Sequence, residues 1–366
     1  MIRRALFAGL LLGPLTVVLH YAADLGATAE FVLAAASLIP LAWLIGEATE
    51  HAAEHTGPGI GGFLNATFGN APELIIALIA VNDGLTEVVR GSLTGSVVGN
   101  LLLVLGFSLL VGPRDSLDRV SSFLSFGAIG VALLLFLVPA VPSWHGDPDR
   151  HAIAVISVPV SLALLVVYGI VTLYSLRRHR GLHVADDAAI HAWSLRRALV
   201  VLGAATVVTA FVAEILVGSL EEFAHKAGLS EFFVAAVIVA IVGNAAEHGG
   251  AIVVARRGKV KLAAEIALSS AAQVAVFLIP AVALLSWLIE PLALSFREVE
   301  MLALAGGLAV TAVTLWGGRA SSARGAVLLI AYAVVVVMFW IAGDRGDQPE
   351  ASANAVGALV SGYVAT

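Results

Sequence analysis

A chain of 366 residues that is 60% apolar and only 13% charged cannot be an ordinary water-soluble domain, which carries roughly twice that share of charge. Its mean hydropathy of +0.98 calls instead for a polytopic membrane protein, with a core built against lipid as well as against itself. A net charge of −6 is small for such a chain and says less than where the charges lie; no nucleic-acid partner is expected, and zero cysteines exclude disulfides and thiolate metal sites.

In chain order, eleven apolar segments of spanning length are predicted, at approximately 4–22, 29–50, 60–81, 88–111, 121–141, 151–175, 195–219, 230–255, 261–288, 294–317 and 324–342. Met1-Ile2-Arg3-Arg4 followed by Ala5 to Leu19 has the look of a signal peptide. It lacks a small-x-small cleavage site before Asp24 and is read as a spanning helix. Connections are short except Leu176 to Ser194, a polar stretch with the densest basic cluster. The predicted organisation is therefore an N-terminal helix and loop (1–28), a first five-helix unit (29–175), a connector (176–194), a second unit (195–342) and a C-terminal tail (343–366).

Lys and Arg test the orientation, because they collect on the cytoplasmic side. With the N-terminus inside, 15 of the 20 basic residues fall inside. Arg90, Arg150, Lys226, Arg297 and Arg345 fall outside, together with acids such as Asp24, Asp83, Asp147, Asp149, Asp344, Asp347 and Glu350. This predicts a cytoplasmic N-terminus, an external C-terminus and a cytoplasmic connector.

Gly69-Asn70-Ala71-Pro72-Glu73 returns as Gly243-Asn244-Ala245-Ala246-Glu247, an offset of 174 positions. The same offset lays Glu47 on Glu221, His51 on His225 and Ser96 on Ser270, so helices two to six map onto seven to eleven. Five helices is an odd number, and the second copy must enter the membrane from the opposite face. The expected fold is thus all-α, one extra N-terminal helix plus two inverted five-helix repeats. Secondary transporters commonly use this plan, with substrate bound near the midplane between the copies.

Glu73 and Glu247 are the chemical centre of this reading. An ionisable group at membrane depth is costly and faces a partner or an aqueous path. Two neighbouring carboxylates in a low dielectric do not both stay ionised alone, so a divalent cation and protons compete for them. Oxygen ligands without Cys favour a hard ion, Ca²⁺ before Zn²⁺ or Cu⁺. Gly69, Gly243 and Pro72 are expected to break regular helix geometry and free backbone carbonyls, while Asn70 and Asn244 supply oxygens or steady the turn. A plainer reading of the two Glu is an interhelical hydrogen bond. Ser96 and Asn100, with Ser270 and Gln273 in the corresponding helix, form a second polar layer; small residues there also serve close packing.

Glu47, Glu50 and Glu54 share one helical face, with Glu221 and Glu222 as counterparts, and form either a funnel at each mouth or ordinary solvated helix ends. Glu214 is expected deeper in its helix as a proton-linked acid. Glu265 is expected near the cytoplasmic surface with its carboxylate snorkelling to water, and His248 is expected to tune Glu247. A hypothesis of another class comes from His51-Ala52-Ala53-Glu54-His55, which spells the H-x-x-E-H pattern of an intramembrane zinc protease. That reading lacks an evident third ligand and leaves the repeat unexplained.

The stretches GEATEHAAEHTGPGIGGFLNATFGNAPELIIAL and VGSLEEFAHKAGLSEFFVAAVIVAIVGNAAEHGGAIV resemble the cation/proton exchanger family of Ca²⁺/H⁺ antiporters, within the Ca²⁺/cation antiporter superfamily. The likeness spans Ala29 to Trp340, and the two G-N-x-x-E elements are its signature. The resemblance implies an eleven-helix fold and Ca²⁺ bound by Glu73, Glu247 and nearby carbonyls. It also implies proton influx driving Ca²⁺ out of the cytosol, flanking acids at Glu47, Glu214 and Glu221, and a matching His248. Ca²⁺ and H⁺ are then substrates and no cofactor is expected. The short, mostly basic connector departs from the acid-rich segment of many relatives, and Glu265 stands where a small residue is expected. The bare size suggests a bacterial member in the inner membrane. A Na⁺-coupled Ca²⁺ exchanger is the alternative within transport, disfavoured by the few acids at midplane.

Overall fold

The computed structural model describes residues 2–23, 25–56, 64, 67–179 and 193–345. Most of the long connector, the tail beyond Arg345, Asp24 and the beginning of the predicted segment 60–81 lie outside them.

The described chain is nearly all helix. Two short pieces, α1 (Ile2–Gly9) and α2 (Leu12–Ala22), precede the long α3 (Ala27–Glu54). Then come α4 (Ala71–Asn82), α5 (Thr86–Val111), α6 (Arg119–Ser143) and α7 (His151–His179). The second half brings α8 (Leu195–Gly218), α9 (Leu220–Ala227), α10 (Glu231–Gly243), α11 (Ala245–Arg256), α12 (Val260–Leu288), α13 (Glu298–Leu315) and α14 (Ser322–Ala342).

Among the described residues, eight helices are long and apolar enough to cross a membrane, or nine if α9 and α10 form one broken span. The count of eleven is not reached by that measure. The first helix has an apolar run of only Leu6–Ala22, and α4 is twelve residues long. The protein is an integral membrane protein: Val313, Trp316, Leu288 and Ile341 are all at least 75% exposed, as a lipid-facing belt requires.

The offset of 174 reappears in the helix starts. Ala71 and Ala245 open α4 and α11, and Thr86 and Val260 open α5 and α12. Both long helices also carry a wide π-type turn at matching places, Gly99–Val104 and Val274–Leu278. Such turns cluster at functional sites and have no sequence signature.

Two corrections concern boundaries. The predicted segment 294–317 begins as non-helical chain, and α13 starts only at Glu298. The buried stretch before it survives because side chains satisfy its backbone: Ser286 Oγ accepts from Leu292 N and Ser157 Oγ from Leu294 N, each at 2.9 Å. Between α8 and α10 the chain makes an unpredicted helix, α9, and turns by 109°. Gly228 takes φ +68° at that corner. Ser230 Oγ then accepts from Phe233 N, and Asp344 accepts from Glu231 N and Phe232 N, capping α10.

Small residues set the core spacing. A Cβ added at Gly95 of α5 would lie 1.9 Å from the Ala236 carbonyl oxygen of α10, so the two backbones are in direct contact. One turn earlier Gly91 sits under Phe232. At the Thr86 end of α5, a charge cluster ties both halves together. Arg90, 1% exposed, donates to Asp149 at 2.7 Å and to Thr86 at 3.0 Å. Glu87 lies 2.8 Å from Arg345 and 3.7 Å from Arg297, whose guanidinium covers the Phe232 ring. Three of the five basic residues assigned to the outside therefore meet at one end of the bundle. Burial alone would raise the Asp149 carboxyl, but the charge and hydrogen bond of Arg90, with the Thr86 hydroxyl, hold it below its ordinary value.

Candidate functional site

The two signature elements fold alike. Each interrupts a helix at its Asn: Asn70 has φ −99° and ψ 15°, Asn244 φ −91° and ψ 6°. The break falls on these residues rather than on the glycines before them. Each Glu then occupies the first turn of the new helix, where the free N–H groups and the helix dipole favour negative charge.

The glycines do something else. A Cβ at Gly243 would lie 3.3 Å from Glu73 Cγ, and one at Gly69 3.7 Å from Glu247 Oε1. Each carboxylate therefore rests over the glycine of the other copy, the reciprocal contact expected of two-fold-related elements. Glu73 lines a cavity of about 10 Å³ with Ser92, Ser96 and Gly243, room for roughly one water.

Polar groups around the pair form a chain across the repeats. Asn244 Nδ2 donates to Ser96 Oγ at 2.8 Å, and Asn100 Nδ2 donates to the Ser96 carbonyl at 3.1 Å. Ser270, 5% exposed, occupies the position of α12 that corresponds to Ser96. Among the described residues, the buried acceptor oxygens without a donor include Glu73 Oε2, Glu247 Oε2, Asn100 Oδ1 and Asn244 Oδ1. Buried acceptors without donors are costly, and carboxylate and amide oxygens are the ligand type a hard cation takes. His248 is buried with Nε2 unpartnered. Gln273 is half-buried on α12.

Other predicted residues lie elsewhere. Glu214 falls on the exposed stripe of α8 with Val207 and Phe211. Glu221 and Glu222 line an open bowl with His225, Glu231 and Asp344. Glu47 lies 4.0 Å from His51 on α3. Glu265 does not reach for solvent but accepts from Ser121 Oγ at 3.1 Å, half-buried. The two histidines of the H-x-x-E-H stretch do not converge on a metal. His51 stacks on Trp193, and His55 Nε2 donates to the Trp193 carbonyl at 2.7 Å. Among the described residues, no group of three or more His, Cys, Asp or Glu could hold a metal ion. Sequence reasoning missed Glu300, which is 1% exposed and accepts from Thr94 Oγ1 and Arg297 N.

A family model described as sodium/calcium exchanger protein matches residues 26–177 and 197–341. The chain belongs to this family. Its likeness to curated relatives runs nearly end to end. It is 32% identical to a Ca(2+)/H(+) antiporter of Aphanothece halophytica, over 92% of this chain and 97% of that one. It is 37% identical to the Ca(2+)/H(+) antiporter ChaA of Bacillus subtilis, over 85% and 92%. Among solved structures, native YfkE superposes with a TM-score of 0.79 at 33% identity, covering 92% of this chain and 99% of that one. The two matched stretches each contain one of the two broken-helix elements described above.

Proposed function

We propose that the chain is a transporter rather than an enzyme, and that it exchanges Ca²⁺ for protons by alternating access. The observation that carries this reading is the set of four donor-less oxygens, two from carboxylates set over each other's glycines. Glu73 and Glu247 hold either the ion or the protons. Asn70, Asn244 and the backbone about Gly69 and Gly243 complete the cage, and Ser96, Asn100, Ser270 and Gln273 support it. His248 shapes access beside Glu247, Glu47 and Glu221 draw cations towards the mouths, and Glu214 acts as a proton-linked acid. The relatives named as Ca(2+)/H(+) antiporters favour the proton as counter-ion over Na⁺.

The two units 29–175 and 195–342, joined by the connector, would act as the inverted halves. The basic and acidic distribution supports a cytoplasmic N-terminus, and the bacterial relatives support the inner membrane. No cofactor enters the cycle.

The test is uptake of radiolabelled Ca²⁺ by everted vesicles, driven separately by a pH gradient and by a Na⁺ gradient. The pH gradient should drive uptake, and Glu73→Gln or Glu247→Gln should each abolish it while the protein still folds. Uptake driven only by Na⁺, or full activity in both variants, would refute the assignment.

A further inference from the structure

At the end of the bundle opposite the Arg90 cluster, three connections meet. Gly112 packs on Val260, Ser121 bonds Glu265, and Ser116 pairs with Arg319 in a β-bridge. This corner gathers eight cations against three carboxylates between residues 112–121, 256–265 and 317–324.

The carboxylates are already used. Asp115 accepts from Ser116 N, Asp118 caps α6 through Val120 N and Ser121 N, and Glu265 takes the Ser121 hydroxyl. Two cations serve the fold as well: Arg119 donates to the Gly317 carbonyl and Arg324 to the Arg319 carbonyl. The other six, Arg114, Arg256, Arg257, Lys259, Lys261 and Arg319, are exposed, and their side chains have no hydrogen bond or ion pair among the described residues. Directly beside them lies exposed apolar surface, with Trp316 87%, Phe123 75% and Val313 75% exposed.

Unspent cations at the edge of a lipid-facing apolar belt stand at the depth of phospholipid headgroups, where a tryptophan also prefers to lie. We propose that this corner binds anionic phospholipids of the leaflet it faces, their phosphates held by the six free cations and their chains on the Trp316–Val313–Phe123 surface. The occupant is a lipid rather than a free phosphate because cations and apolar surface are contiguous. The inference is independent of which ion is transported.

Trp316 supplies the probe. The full-length protein would be reconstituted in phosphatidylcholine containing a fixed fraction of phosphatidylglycerol, with either one or the other lipid brominated. Trp316 emission is taken as the difference from Trp316→Phe. Brominated phosphatidylglycerol should quench Trp316 more strongly than brominated phosphatidylcholine at equal fraction, and salt should reduce the difference. Arg114→Gln/Lys259→Gln/Lys261→Gln/Arg319→Gln should weaken the apparent preference by about tenfold or more, each basic residue adding to surface attraction. Soluble glycerophosphate should not compete. Equal quenching by the two lipids in the wild-type protein overturns the proposal whether or not the variant folds. Full competition by glycerophosphate overturns it in favour of a free-phosphate site.

Discussion

Gly95→Ala asks for one added methyl group, and the structure says where it goes. The new Cβ would stand 1.9 Å from the Ala236 carbonyl oxygen, 2.7 Å from the Ala236 carbonyl carbon and 2.8 Å from Ala240 Cβ. A carbon–oxygen contact needs about 3.3 Å, so α5 and α10 must separate by about 1.4 Å. No flexible side chain can absorb the overlap, because the obstacle is backbone. Separation of that size would stretch the 2.8 Å bond from Asn244 to Ser96 beyond hydrogen-bonding reach. Overpacking costs about 1–3 kcal/mol and the lost bond about 1 kcal/mol more. The purified variant should therefore unfold at least about 4 °C below the wild type. Gly99→Ala is the matched control, one turn further along the same helix with nothing within 4 Å of its added Cβ. It should be neutral or stabilising by up to about 1 kcal/mol, since Ala is the better helix former. Thermal unfolding of both variants in one detergent decides the matter: if they melt together, the direct backbone contact is not as described.

Further expectations concern the charge cluster and the histidines. Arg90→Met removes the buried cation from Asp149, while Glu87 keeps Arg345 and Arg297, and should destabilise by about 1–3 kcal/mol in denaturant titration; an unchanged midpoint would mean the cluster is solvated. Asp149 has a depressed carboxyl pKa, so its ionised form stabilises the fold fully above its unfolded value of about 3.9 and progressively less as pH falls through the lower folded value. Melting temperature should accordingly drop below about pH 4, and Asp149→Asn should flatten that slope; equal slopes would sink the argument. The purified protein should carry no stoichiometric zinc, because His51 and His55 are both engaged with Trp193. Elemental analysis finding one zinc per chain, lost in His51→Ala, would revive the protease hypothesis.

The centre of the molecule was readable because its cause is local. An acid three residues after an Asn, twice at one offset, names both the break and the residue beyond it. Helix starts at Ala71 and Ala245 follow directly. What escaped depends on phase or on distant partners. The position of Glu214 along α8 was readable, but the helical phase that sets it on the exposed stripe with Val207 and Phe211 was not. The corner at Gly228 did have a signal, since Gly-Leu-Ser places a left-handed residue and a helix cap side by side. The π-type turns had none. Glu300 could not be predicted either, because its donor Thr94 is 206 positions away.

The same offset also shows why the two halves cannot be interchangeable. Gly91, Gly95 and Gly99 of α5 correspond to Glu265, Ser269 and Gln273 of α12. On α5, Gly95 meets the Ala236 carbonyl directly, Gly91 lies under the Phe232 ring and Gly99 has nothing within 4 Å; the α12 positions carry three polar side chains, each half-buried. A face of glycines permits contact at carbonyl distance, and a face bearing Glu, Ser and Gln keeps its neighbour further off and wettable. Both carboxylates are deep: Glu73 is 8% exposed and shares its cavity with Ser92 and Ser96 of α5, and Glu247 Oε2 is buried. Related sequences thus produce unlike helix faces, and the inequality follows from three residue identities at one offset.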